Sequence, residues 1–208
     1  MPPGYIDIYC ERLAPGLFDE PLNAISNGAF ILAGYLFYIR HQPATKDIWA
    51  QSVLMGLVGV CSLSFHTTAH LGAMFADIAS IMMFIFYHVY LASLRFIPQY
   101  GAKGAFGLAI IMVALSMVIP PAWAYGSMGY APALMALVLF GMLCHGKNRA
   151  ASSMFLWAAT VFLISLLLRT IDRPACDVIP LGTHYFWHVL NAVVLYLTAK
   201  AVYHGRQL

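Results

Sequence analysis

An all-α, integral membrane bundle of seven transmembrane helices is the fold this sequence predicts, and three observations predict it. First, the 208 residues are 62% hydrophobic and 9% charged, with a mean hydropathy of +0.78. A soluble domain carries about 25% charged residues, so this chain could not cover a surface that faces water. Second, the apolar residues gather into seven runs, separated by short connections rich in Gly and Pro. A spanning helix needs about 20 mostly apolar residues, and the runs are of that order. Third, Lys and Arg sort unequally between the two ends of those runs.

The length allows one domain, 1–208, with 1–22 as an extramembrane N-terminal segment. That segment contains Asp7, Glu11, Asp19 and Glu20 and has no continuous apolar core, so it does not read as a signal peptide. The first span is expected over 23–38, closed by Arg40, and the second over 48–67. The third covers 75–96, and the fourth 104–119, stopped by Pro120-Pro121. The fifth, 130–144, is the shortest; the sixth covers 153–168 and the seventh 184–202.

Seven crossings put the N-terminus on one side with the loops after spans 2, 4 and 6. Arg12, Arg169 and Arg173 fall there, whereas Arg40, Lys46, Arg95, Lys103, Lys147, Arg149, Lys200 and Arg206 fall opposite. The excess of positive charge predicts a cytoplasmic C-terminus and an outer N-terminus. Scattered as they are at loop edges, these basic residues do not suggest a nucleic-acid partner. The acids sort the other way: Asp7, Glu11, Asp19, Glu20, Asp77, Asp172 and Asp177 lie outside, and Asp47 alone lies inside. A cation site on the outer face would explain that bias, as would plain solvation of acidic loops. Four dispersed cysteines are too few for a disulfide framework. Cys61 and Cys144 lie in apolar runs as small core residues, and Cys10 and Cys176 lie in extramembrane segments on the same outer side.

The stretch 61–77, CSLSFHTTAHLGAMFAD, joins spans 2 and 3. His66 closes span 2, Asp77 opens span 3, and His184 and His188 open span 7, so the topology brings all four to the outer face. An ionisable side chain in a membrane is costly and is a functional candidate by default. His184 and His188 are one helical turn apart, so both rings can reach one metal ion. A third ligand from another helix would leave the fourth position of a zinc ion open to water, the arrangement of catalytic zinc sites. A carboxylate such as Asp77 could then take a proton from that water, and a hydroxyl such as Ser62 could donate to an oxyanion. Ser62 lies four residues before His66, on the same helical face. The alternative for any one histidine is an interfacial ring among lipid headgroups, and His41, His88, His145 and His204 read that way. His70 reads as a loop residue, near His66 in sequence but outside the ligand set.

These residues carry a resemblance. Ser62-Leu-Ser-Phe-His66, Asp77 eleven residues later, and His184-Tyr-Phe-Trp-His188 resemble the alkaline ceramidase family. That family belongs to a superfamily of seven-span hydrolases that also includes adiponectin-type receptors and GPI-remodelling proteins. Tyr9-Cys10-Glu11, followed by Glu20-Pro-Leu-Asn23-Ala-Ile-Ser-Asn27, is similar to the family's opening segment. The resemblance extends from about Ile6 to Tyr203, and the compactness of the chain is similar to bacterial members, for which the outer face would be periplasmic.

The resemblance implies zinc ligation by His66, His184 and His188, a proton shuttle at Asp77 and oxyanion stabilisation by Ser62. It implies hydrolysis of the linear amide of N-acyl sphingoid bases, giving a fatty acid and an amine, with the lipid entering sideways from the bilayer. Phe, Met and Leu on spans 3, 5 and 6 could line the path, or simply pack helices. In the animal members the N-terminal segment also binds calcium, which takes six to eight oxygens. Here Asp7, Glu11, Glu20 and Asn23, with the carbonyl of Tyr9 and with Asp19 as a further option, would supply some of them. The acid stands one place early at Asp7, and the gap from Glu11 to Glu20 is short; the alternative is that these acids cap the first helix. The resemblance also implies a bridge between Cys10 and Cys176. Two other functions suit the same zinc centre: a receptor or sensor with structural zinc, and a lipid esterase.

Overall fold

Seven helices in the computed structural model are long and apolar enough to cross a membrane, in the order the sequence predicts. The structure describes residues 3–207 and is 78% helical, with no strand among the described residues. The first span is α1 (Pro21–Ser26) followed by α2 (Gly28–Arg40), and the second is α3 (Lys46–Thr68). Then come α4 (Leu71–Phe96), α5 (Gly101–Val118), α6 (Ala131–Cys144), α7 (Arg149–Ile171) and α8 (His184–His204).

Several boundaries differ from the sequence expectation, and α7 starts at Arg149, four residues before 153. Helix α4 starts at Leu71, four residues before 75. Ala69 adopts a left-handed conformation at φ 47°, which ends α3, and the His70 ring nitrogen Nδ1 accepts from the Gly72 N–H to start α4 at once. Asp77 therefore lies in the second turn of α4 rather than in its first. Ahead of α6, residues 123–130 form a 3-10 segment interrupted by positive φ at Ala124, Tyr125 and Gly126. That segment and α6 together make the fifth span, Trp123–Cys144.

The chain divides into two compact units. One holds the chain up to Ile81 together with Ile164–Ala192; the other holds Met82–Leu163 and the chain from Val193 on. Within the first unit α2 packs on α3 at Gly34, where an added Cβ would meet the Ser52 carbonyl at 2.6 Å. Only glycine admits that approach. Leu32, Tyr35, Trp49, Val53 and Val60 are exposed, while Gln51, Ser62, His66, Ser165 and Asn191 are buried. Polar inside and apolar outside is the order expected of a chain solvated by lipid, where a polar group must find its partner within the protein. Accordingly Asn191 donates to the Ser165 hydroxyl at 3.2 Å.

The N-terminal segment is held by main-chain bonds from Ile6 N to the Ala69 carbonyl and from Leu71 N to the Gly4 carbonyl, both 2.8 Å. A disulfide joins Cys10 to Cys176, with Cα atoms 5.2 Å apart. In the second unit Phe155 packs edge-on against Phe96 and parallel to Phe140, each at 5.7 Å. Ala105, Ala109, Ala136 and Ala158 are buried there, the small residues that let membrane helices approach closely.

Candidate metal centre

The first unit brings three imidazoles together at one place. His66 sits in the last turn of α3, and His184 and His188 occupy the first two turns of α8. One ring nitrogen from each lies within 4.8 Å of the others, and the three residues are at most 2% exposed. Ring centroids are 4.7 Å apart for His66 and His188 and 4.6 Å apart for His184 and His188. The close pair on α8 follows from its i, i+4 spacing, which puts both side chains on one face.

A surrounding layer fixes the rings. His66 Nδ1 donates to Glu20 Oε2 at 2.6 Å. The Ser26 hydroxyl donates to the Asn23 carbonyl at 2.9 Å, which leaves it to accept from His188 Nδ1 at 2.7 Å. With both Nδ1 atoms protonated in this way, the Nε2 atoms of His66 and His188 carry lone pairs. A carboxylate or hydroxyl behind the ring is the usual outer support of a metal-binding histidine, setting its tautomer and orientation. Tyr9 stacks on His184 with centroids 3.6 Å apart, fixing the third ring by packing.

Glu20 is itself the centre of a buried network. Its Oε1 accepts from Arg12 Nε, and its Oε2 accepts from Asn23 Nδ2 at 3.0 Å as well as from His66. Burial pushes the Glu20 carboxyl up, but the hydrogen bonds from His66, Arg12 and Asn23 outweigh it. The group is held below the usual carboxylate range, so it remains an anion facing His66.

Asp77 and Ser62 adjoin the cluster. Ser62 is 3% exposed on the face of α3 that carries His66, and its hydroxyl interacts with the Asp77 carboxylate. Asp77 Oδ1 and His184 Nδ1 are among the buried polar atoms of the described residues that have no hydrogen-bond partner. Leaving such an atom unsatisfied costs about 1–3 kcal/mol. A metal ion with its bound water would relieve that cost. Three nitrogen donors converging in this way, with a carboxylate beside them, fit a metal ion of the kind that imidazole favours.

The remaining expected residues are placed differently. Asp7, Glu11 and Glu20 do not form a cluster of metal-ligating groups among the described residues. Glu11 accepts from the backbone N–H groups of Leu22 and Asn23 at 2.7 and 2.9 Å, capping α1. Asp7 lies 3.8 Å from Arg173, and Asp19 lies 4.0 Å from Arg12. Of the side chains expected around calcium, Asn23 keeps an unpaired oxygen, Oδ1. Tyr9 has its ring on His184, as described. His70 is exposed and caps α4, and His41 and His88 bond the carbonyls of Phe37 and Phe84 at the preceding turn.

Ser26, Arg12 and Asp172 take part in the site without having been expected there. Asp172 is 2% exposed. Its Oδ1 accepts from the N–H groups of Thr183 and His184, and its Oδ2 from that of Cys10. One carboxylate thereby caps α8 where the histidine pair begins and ties it to the N-terminal segment, next to the disulfide. Gly182 makes this possible: its φ is +66°, and a Cβ there would meet Asp172 Oδ1 at 2.2 Å and Cys10 Cβ at 2.9 Å. Gly182→Ala is expected to destabilise the chain by about 2 kcal/mol or more. Thermal unfolding in detergent measures this, and an unchanged Tm would contradict the packing described.

A family model described as Ceramidase matches residues 10–206, nearly the whole chain. No curated protein matches it.

Proposed function

Since the chain belongs to the ceramidase family, a family of ceramide-hydrolysing amide hydrolases, and is a multi-pass membrane protein, we propose that it is a zinc-dependent intramembrane hydrolase of ceramide-like N-acyl lipids. The observation that carries the reading is the buried cluster of His66, His184 and His188 with Asp77 and Ser62 beside it. His66, His184 and His188 are the ligands in this reading. A zinc ion held by them would supply a Lewis acid able to polarise the amide carbonyl and to acidify a water molecule.

The protein's own groups do the rest. Asp77 takes the proton from the attacking water and delivers it to the amide nitrogen as the C–N bond breaks. Water adds to the acyl carbon, so the products are a fatty acid and a free sphingoid amine, and atoms balance. The Ser62 hydroxyl donates to the carbonyl oxygen as negative charge develops on it. Glu20 and Ser26 hold His66 and His188 in one tautomer, and Asp172 holds the start of α8, so the donors need not reorganise during the reaction. The exposed apolar side chains suit a substrate with long chains that arrives through the bilayer. The eight-to-three split of Lys and Arg supports a cytoplasmic C-terminus and an outer catalytic centre.

Ser62→Ala is expected to lower kcat by about 10²–10³-fold, the effect of losing one oxyanion donor, with KM little changed. A full wild-type kcat would remove the oxyanion role. The substrate class is tested by fatty-acid release from matched N-acyl sphingoid bases and ester lipids. Faster release from the amides is expected, and release from the esters alone would point to a lipid esterase.

A further inference from the structure

Arg12 stands out because its side chain is 0% exposed yet lies in a short extramembrane segment, where a long cation could reach solvent. Its guanidinium is surrounded by oxygen. Nε donates to Glu20 Oε1, and Nη2 donates to the His66 carbonyl at 2.8 Å. Nη1 donates to the carbonyls of Gly16 at 2.9 Å and Ala14 at 3.4 Å, and lies 4.0 Å from Asp19 Oδ2. Carboxylates and backbone carbonyls converging on one positive charge are the surroundings a hard divalent cation would require. Here the charge is a side chain.

The carboxylates of Glu11 and Glu20, both expected to hold calcium, already accept hydrogen bonds. Both oxygens of Glu11 cap α1, and both oxygens of Glu20 are taken by Arg12, Asn23 and His66. Asn23 Oδ1 is unpaired but is a single neutral donor, and Asp7 and Asp19 face Arg173 at 3.8 Å and Arg12 at 4.0 Å. A calcium ion needs six to eight oxygens, and it would have to sit against a buried guanidinium of like charge. The residues present do not fit calcium.

We propose that Arg12 is the resident cation of this N-terminal segment: its guanidinium takes the structural place of a divalent ion, makes the chain independent of calcium, and positions His66. The route to the metal centre is short. Arg12 holds Glu20, Glu20 accepts from His66 Nδ1, and a second arm of the same guanidinium binds the His66 carbonyl at the end of α3. Arg12 is thus a positioning residue, acting through Glu20, and a planar fork reaches these acceptors together where the point charge of a lysine does not. The link to the metal centre rests on the reading of His66 as a ligand; the link to calcium does not.

The test uses the full chain in detergent micelles or nanodiscs. In the first arm Ca2+ is added to wild type up to about 1 mM, the range of weak extracellular calcium sites, with EGTA as the control. Neither bound calcium nor a shift in Tm is expected, and stoichiometric Ca2+ binding that raises Tm overturns the replacement. In the second arm Co2+ is bound at the histidine cluster and followed by its visible absorption. Arg12→Ala is expected to weaken Co2+ by about 10–100-fold, as loss of an outer-shell partner does, and Arg12→Lys to restore only part of it. Equal Co2+ affinity in wild type and Arg12→Ala overturns the positioning role. A wild-type spectrum that His188→Ala leaves unaltered removes the metal-centre reading and the positioning role with it, but not the calcium result. If Arg12→Ala fails to fold, the wild-type calcium arm still decides the replacement, and Arg12→Lys decides the positioning by its Co2+ affinity.

Discussion

Replacing Asp77 with Asn is expected to lower kcat by about 10²–10⁴-fold, the usual weight of a general acid–base group, while bound zinc stays at the wild-type level. Asn keeps the shape of Asp and can still hydrogen-bond, but it cannot take a proton from water and pass it to a leaving amine. Asp77 is not one of the three clustered donors, and its carboxylate is engaged by Ser62 rather than by a basic partner at short range. The loss is therefore expected in turnover and not in metal content. Fatty-acid release by the purified variant, together with its zinc content by elemental analysis, checks both halves. Wild-type turnover in Asp77→Asn would refute the proton role, and loss of zinc would reassign Asp77 as a ligand.

His188→Ala is expected to strip the zinc and abolish release of fatty acid. With His188 gone, two nitrogen donors remain, too few for a site that needs three protein ligands and one open position. The affinity is expected to fall by more than the ~10–100-fold that loss of an outer-shell partner costs. His188 is 1% exposed and bonded through Nδ1 to Ser26, so the variant also leaves the Ser26 hydroxyl without that donor. Elution as a monodisperse species and a retained helical signal separate loss of metal from loss of fold. Zinc bound to the folded variant at the wild-type stoichiometry would contradict the assignment of His188.

Much of this architecture could be read in the sequence because lipid imposes simple rules. Seven apolar runs became seven spans, since a backbone in hydrocarbon has to satisfy its own hydrogen bonds as helices. The meeting of His66 with His184 and His188 followed from an i, i+4 pair and an even number of crossings, neither of which depends on detail. The supporting layer was hidden for the opposite reason. Glu20, Ser26, Arg12 and Asp172 act by reaching out of loops and short helices, and the separations involved (46 residues from Glu20 to His66, 162 from Ser26 to His188) leave no periodic signal. The start of α4 was missed because a left-handed alanine ended α3, where glycine is the usual mark. The acids of the N-terminal segment were visible, but their partners were not. Glu11 took the helix-capping alternative, and Glu20 turned to a histidine and an arginine.

The central claim is that the three-histidine cluster holds a zinc ion that amide hydrolysis requires. Its most direct test is to strip the purified chain with a chelator and titrate zinc back while following fatty-acid release from an N-acyl sphingoid base. Release is expected to vanish on stripping and to return in proportion to zinc, reaching a plateau at a single equivalent per chain, with no recovery in His188→Ala. Undiminished release from the metal-free chain would contradict it.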